Sequence, residues 1–393
     1  MSAGPRLDPD RLIAAAEQRT GLSDWGDPEF RVGLEHLVDA LEREARLSEL
    51  GRYATGETLI GRLANRLGII DYRRQRPAVA TQKIQRPLFV LGLPRTGTTI
   101  LHEVLAQDPD HISPLHWQLM KPVPPPHADT VETDPRIAEV EAQLAAFDQL
   151  APGFKTIHEM GARLPTECLS ILAMHFISDE WGATYYVPGY RRWCLDHDMH
   201  RAYRWHHQVL QHLQVDCARP RWVLKSPLHL PYLQEIFDEY PDAAIVWTHR
   251  EPMAVMASGS SLAQTLRGAF NEGIDPLLTA QGEVDHLSQA LLRGLAWRDA
   301  RPGRDRLFVD LGFGEIMRDM LGSVEKIYAH FGFELTAATR RRMEDYIRNR
   351  PRDKHGVHSY STAQFGLSEQ KHGAVFAPYR ERFASFLAGS ATD

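Results

Sequence analysis

Residues 88–99 read Leu88-Phe89-Val90-Leu91-Gly92-Leu93-Pro94-Arg95-Thr96-Gly97-Thr98-Thr99 and run into Ile100-Leu101-His102-Glu103-Val104-Leu105. Pro87 and Gly92 bound the apolar run Leu88–Leu91, the pattern of a short strand buried on both faces. Ile100, Leu101, Val104 and Leu105 recur at helical spacing and form one apolar face. The order is strand, glycine-bearing turn, helix start. Such a turn aims backbone N–H groups and the positive end of a helix at an anion. Thr98 and Thr99 add hydroxyl donors, and Arg95 adds a charged fork. The plainer reading of the same residues is an ordinary tight turn.

Three further short apolar runs follow, Trp222–Leu224, Ala243–Trp247 and Leu307–Val309, with helical stretches between them. Buried strands separated by helices predict an α/β fold of three layers around a central parallel sheet. No strand signal precedes residue 86. Asp10 is expected to cap a first helix through Leu12, Ile13 and Ala16; Pro28–Leu50 and Glu57–Leu67 repeat the helical pattern, and residues 71–87 read as a connector. Residues 1–85 are thus expected to form a helical N-terminal extension. Residues 86–393 form the main domain, with a helical, acceptor-binding insertion at about 110–215. The N-terminal helices either pack over that domain or mediate a homodimer.

The chain has 393 residues, 43% of them hydrophobic and 24% charged, a globular composition. Lys plus Arg number 45 and Asp plus Glu 51, a formal charge of -6, which argues against a nucleic-acid-binding surface. Three cysteines, Cys168, Cys194 and Cys217, are odd in number and lack metal-ligand spacing, which points to a reduced, cytoplasmic interior. The stretch Met1–Asp8 has no hydrophobic signal core. No run approaches the roughly 18 apolar residues of a membrane span, so integral membrane association is not expected.

The turn matches the phosphate-loop spacing G-x-x-x-x-G-K-[ST] except that Thr98 stands in the lysine's place. That disfavours ATP or GTP hydrolysis. A metal-anchoring aspartate is also missing, since the Ala243–Trp247 run continues Thr248-His249-Arg250. A nucleotide or metabolite kinase-like enzyme therefore remains the alternative. Ser258 follows Arg250 by eight positions, with Pro252 placed for the first turn of a helix, so the pair can serve a second phosphate. Taken singly, a surface arginine and a helical serine are the plainer reading.

The two features together resemble the sulfotransferase superfamily, in a bacterial branch with a helical N-terminal extension. The resemblance implies 3'-phosphoadenosine 5'-phosphosulfate (PAPS) as co-substrate, adenosine 3',5'-bisphosphate (PAP) as product, and no required metal. It gives the 5'-phosphosulfate to Arg95, Thr96, Gly97, Thr98 and Thr99, and the 3'-phosphate to Arg250 and Ser258. A late basic segment, Arg348 to Gly356, would close over the 3'-phosphate and adenine, with Lys354 and His355 as its best matches; a solvated charged loop is the equal alternative. Arg95 stands where many relatives carry lysine, and it cannot donate a proton at neutral pH.

Sulfuryl transfer, like phosphoryl transfer, depends on positioning and charge stabilisation. It needs cations at the bridging oxygen and a base for the acceptor's proton. Lys225, at the end of the Trp222–Leu224 run, is placed where a parallel sheet has its ligand crevice, and is assigned to the leaving phosphate. Glu167, in Pro165-Thr166-Glu167, is expected in the first turn of a helix and is the favoured base; His229, in Lys225-Ser226-Pro227-Leu228-His229, is the rival, two positions off the family's Lys-Thr-His pattern. Aromatics are dense between 115 and 210, which suits a small apolar or aromatic hydroxyl (or amine) acceptor, although packing explains such density equally well. His197, His200, His206, His207 and His212 are expected as solvated helix residues rather than a zinc site. A non-catalytic nucleotide-binding protein of the same fold is the remaining alternative.

Overall fold

The structure is a computed structural model that describes residues 6–150, 159–217, 219, 221–350 and 363–388. The chain divides into two compact units. A helical unit comprises Met1–Lys83, Pro114–Ala218 and Leu262–Asp275, and a sheet unit comprises Ile84–Ser113, Arg219–Ser261 and Pro276–Asp393.

The sheet unit is built on β1 (Leu88–Gly92), β2 (His111–Ile112), β3 (Arg221–Lys225), β4 (Ala244–His249) and β5 (Phe308–Gly312), in the order β2-β3-β1-β4-β5. All neighbours pair in parallel. The α/β expectation therefore holds, with one strand more than the apolar runs predict. β2 has two residues, too few for any periodicity to register. Every residue of β1 and β4 is buried, because a parallel sheet carries cover on both faces. Leu88 and Val90 point to one face, against Leu101, Val104 and Leu105, and against Val324, Ile327 and Phe331. Phe89 points to the other face, edge-on to His229 and near Tyr240. There Phe237, Trp297, Phe308, Trp247 and Phe383 form a second aromatic layer.

β1 ends in the turn that opens the helix Thr98–Leu105. The helix Ala337–Asn349 is tied to it, since the Tyr346 hydroxyl donates to buried Glu103 at 2.9 Å and Arg350 pairs with the same carboxylate.

In the helical unit, α1 (Pro9–Thr20) is capped by Asp8, one turn boundary earlier than Asp10, and ends at left-handed Gly21. α2 spans Phe30–Arg43, and Ser48 caps α3 (Glu49–Gln75). The expected connector over 71–87 is thus helix to Gln75 and then a tight turn, Pro77–Thr81; Arg74 and Gln75 face solvent, whereas Arg73 turns inward to donate to Gln208 and Gln211. Arg66 is buried between the rings of Phe30 and Trp205, 4.8 and 4.3 Å from their centroids. Burial pulls its guanidinium down to about 9, and it donates to the carbonyls of Trp25 and Asp27.

Gly92 is irreplaceable on both steric and conformational grounds. Gly92 has φ 145°, and a Cβ there would meet the Thr248 carbonyl and hydroxyl oxygens, each at 2.4 Å. Gly92→Ala is expected to lower the free energy of unfolding by about 3 kcal/mol, read from urea denaturation followed by tryptophan fluorescence.

Candidate active site

The turn Gly92–Thr99 sits at the C-terminal edge of the sheet, beside the ends of β3 and β4. The strand order reverses around β1, which is where open parallel sheets bind ligands. Register sets Thr248 opposite Gly92. The Thr96 hydroxyl donates to the Leu93 carbonyl at 2.7 Å, and the Thr248 hydroxyl lies 2.6 Å from Thr96 Oγ1. The two hydroxyls share a hydrogen bond, and the Thr248 hydroxyl also lies within 3.3 Å of the Leu91 carbonyl, so the strand end locks the turn.

Gly97 is left-handed (φ 88°) and leads the helix with no side-chain cap, which leaves the first-turn N–H groups aimed into the turn. Arg95 is also left-handed, at φ 66°, costing about 1–2 kcal/mol for a residue with a Cβ. Two contacts hold it there. Its Nε donates to Ser258 Oγ at 3.1 Å, and its carbonyl accepts from Arg250 Nη1 at 3.0 Å. The Arg250 guanidinium stacks on Phe313 at 4.1 Å. Pro252 opens the helix Pro252–Gly268 that carries Ser258, as its fixed φ favours.

Lys225 ends β3, is 2% exposed, and donates from Nζ to Thr99 Oγ1 at 3.3 Å. Burial and the Lys225 charge hold neighbouring His102 down at about 3, so it stays neutral and donates from Nε2 to the Val223 carbonyl. The sheet unit thus brings together Arg95, Thr96, Gly97, Thr98, Thr99, Lys225, Arg250 and Ser258 around one helix N-terminus. Two guanidinium groups and an ammonium at such an end form a site for a polyanion.

A model of the sulfotransferase family matches residues 87–337, from the first residue before β1 through β5 and beyond. The chain belongs to the sulfotransferase family. It is an enzyme of sulfuryl transfer. Sulfotransferase STF1 from Mycobacterium tuberculosis H37Rv is 33% identical with a TM-score of 0.85, covering 95% of this chain and 99% of that one. Sulfotransferase STF9 from Mycobacterium avium is 29% identical with a TM-score of 0.86, covering 99% of this chain and all of that one. The omega-hydroxy-beta-dihydromenaquinone-9 sulfotransferase Stf3 of Mycobacterium bovis is 21% identical over 307 residues, 75% of this chain and 74% of that protein.

For this sulfotransferase the rest of the expected site divides as follows. Glu167 lies in the helical unit, half-buried. It precedes the short helix Leu169–Ala173 rather than sitting in its first turn, because Pro165 is paired with Leu115 in a β-bridge. His229 lies in the turn Pro227–Tyr232 after β3, wholly buried, and burial holds it down at about 3. Lys354 and His355 lie outside the described residues.

The histidine expectation needs correcting. His197 lies outside a helix, directly after Pro188–Asp196, whereas His200 starts the helix His200–Gln214. His206 and His212 are fully buried, not solvated; burial holds His212 down at about 4. The buried face of their helix includes both.

Sequence reading missed a further set of residues next to the site. His249, the last residue of β4, is buried. Its ring contacts Asp310 Oδ1 through Nε2 and the Tyr379 hydroxyl through Nδ1, each at 2.9 Å. Arg298 donates to both Asp310 oxygens, at 2.7 and 2.8 Å. Burial pushes the Asp310 carboxyl up, but the hydrogen bonds from His249 and Arg298 and the Arg298 charge outweigh it and hold it down from 3.8 to about 2. A depressed carboxyl stabilises the fold above its unfolded value, and that stability is lost as pH falls through the folded value. The stability gap between the protein and Asp310→Asn is therefore expected to be about 2–3 kcal/mol at neutral pH. It should shrink as pH falls below 3.8 through about 2 in urea titrations at stepped pH.

Proposed function

We propose that this sulfotransferase uses PAPS to sulfate a hydroxyl of a small apolar molecule in the reducing cytoplasm. The observation that supports this most directly is the bonded chain Ser258–Arg95–Arg250, which joins two anion subsites that are 155 and 163 residues apart in sequence. A single bridging polyanion with phosphates at two positions fits such a pair. The donor when bound supplies the sulfuryl group: an acceptor oxygen–sulfur bond forms as the sulfur–phosphate oxygen bond breaks, leaving PAP.

The chain's own residues take these roles. The first-turn N–H groups after Gly97, with Thr96, Thr98 and Thr99, hold the 5' end. Arg95 and Lys225 neutralise the charge that grows on the leaving phosphate oxygen. Arg250 and Ser258 hold the 3'-phosphate. Glu167 takes the acceptor's proton. His229, buried and held at about 3, is a poor base at neutral pH.

The apolar acceptor is supported by the relative Stf3, which acts on a hydroxylated menaquinone derivative. The aromatic wealth of the helical unit gives less support, because Trp117, Trp181, Tyr185, Tyr190, Tyr203 and Trp205 are core residues, each at most 2% exposed. The cytoplasmic assignment is supported by three free thiols, and no helix among the described residues is long and apolar enough to cross a membrane.

Calorimetric titration with PAP against ATP plus magnesium tests the donor. PAP is expected to bind, and Arg250→Ala to weaken it about 10–100-fold. Binding of ATP alone would return the loop to a kinase reading. Lys225→Ala and Glu167→Gln are expected to abolish turnover, below about 1% of the parent rate, while PAP still binds. Full activity in Glu167→Gln would remove it as the base.

A further inference from the structure

Arg250 is the middle one of three consecutive residues whose two neighbours are both held by the C-terminal helix Ala377–Leu387. Tyr379 bonds the His249 ring, and Arg380 pairs with Glu251 through its Nε, at 3.1 Å, and its Nη2.

The direction of this chain of bonds follows from its ends. A carboxylate only accepts, so His249 Nε2 carries the proton and donates to Asp310. His249 is buried and neutral, so Nδ1 is an acceptor and takes the Tyr379 proton. Arg298, Asp310, His249 and Tyr379 thus form one relay in which every donor points toward the Asp310 carboxylate, and its His249 member is joined directly to Arg250 in the chain. Chains of this kind are strengthened by mutual polarisation and have one low-energy arrangement.

We propose that Tyr379 and His249 are positioning residues for the donor's 3'-phosphate: through this relay the C-terminal helix fixes the backbone from which the Arg250 guanidinium projects. The inference rests on the assignment of Arg250 to the 3'-phosphate. Neither side chain touches the donor or the acceptor in this scheme.

The test compares binding of PAP with binding of adenosine 5'-monophosphate, which lacks the 3'-phosphate, by calorimetry on the full chain. Tyr379→Phe removes one oxygen and keeps the ring. It is expected to weaken PAP about tenfold while leaving adenosine 5'-monophosphate within about twofold. In the Tyr379→Phe background, Arg250→Ala is expected to cost less than in the parent, since the two act on one contact. His249→Gln, which keeps a donor and an acceptor, is expected to bind PAP more tightly than His249→Ala. Equal weakening of both nucleotides, additive costs, or equal losses in the two His249 variants would overturn the inference. Parent protein that prefers PAP, with Tyr379→Phe unchanged, overturns the inference alone. Parent protein with no preference for PAP overturns the donor assignment and the inference with it.

Discussion

The hydrogen bond from Arg250 to the main-chain carbonyl of Arg95, at 3.0 Å, is the contact on which the site depends. It joins the turn after β1 to the residue after β4. It holds Arg95 in a left-handed backbone that an arginine does not adopt unaided. The Arg95 side chain closes the loop by donating to Ser258. Three residues from three segments are thereby over-determined, and such over-determination is what lets a strained turn persist. Gly92 completes the arrangement from below, since only a residue without a Cβ can lie against Thr248.

Charge in the sheet unit is handled in two ways. Arg298 and Asp310 are buried as a pair and meet each other's valence with two short bonds, so neither is left as an isolated charge. Lys225, Arg95 and Arg250 instead converge on the uncapped N-terminus of the helix Thr98–Leu105, so positive charge accumulates beside a positive helix end. Folding alone gives no reason to concentrate like charge there. An anionic substrate does, and sulfuryl transfer supplies one. The His249 ring stands between the buried pair on one side and Tyr379 of the C-terminal helix on the other.

Much of this was legible from local pattern. The apolar runs at 88–91, 222–224 and 243–247 each became a strand within a residue or two, because a strand buried on both faces has no polar interruption. Gly97, Thr98 and Pro252 marked helix starts through their backbone preferences. Where reading failed, the competing physics is identifiable. Asp8 rather than Asp10 caps α1, because either aspartate can cap and only the packed geometry selects one. Pro165 joined a β-bridge to Leu115 rather than starting a helix, a partner 50 residues away that local propensity cannot reveal. His206 and His212 are buried because their helix face is covered, although their residue type reads as solvated.

The sequence by itself determined the α/β class, the strand–turn–helix start at 88–105, the arginine–serine step and the family resemblance, because each rests on spacing within short segments. Only the tertiary structure decided that Arg95 and Arg250 share a hydrogen bond, that His229 is a buried neutral ring, and that Asp310, His249 and Tyr379 stand in line beside Arg250. Those three come from β5, β4 and the C-terminal helix. Strand order and helix packing bring them together, and neither leaves a periodic trace in the chain.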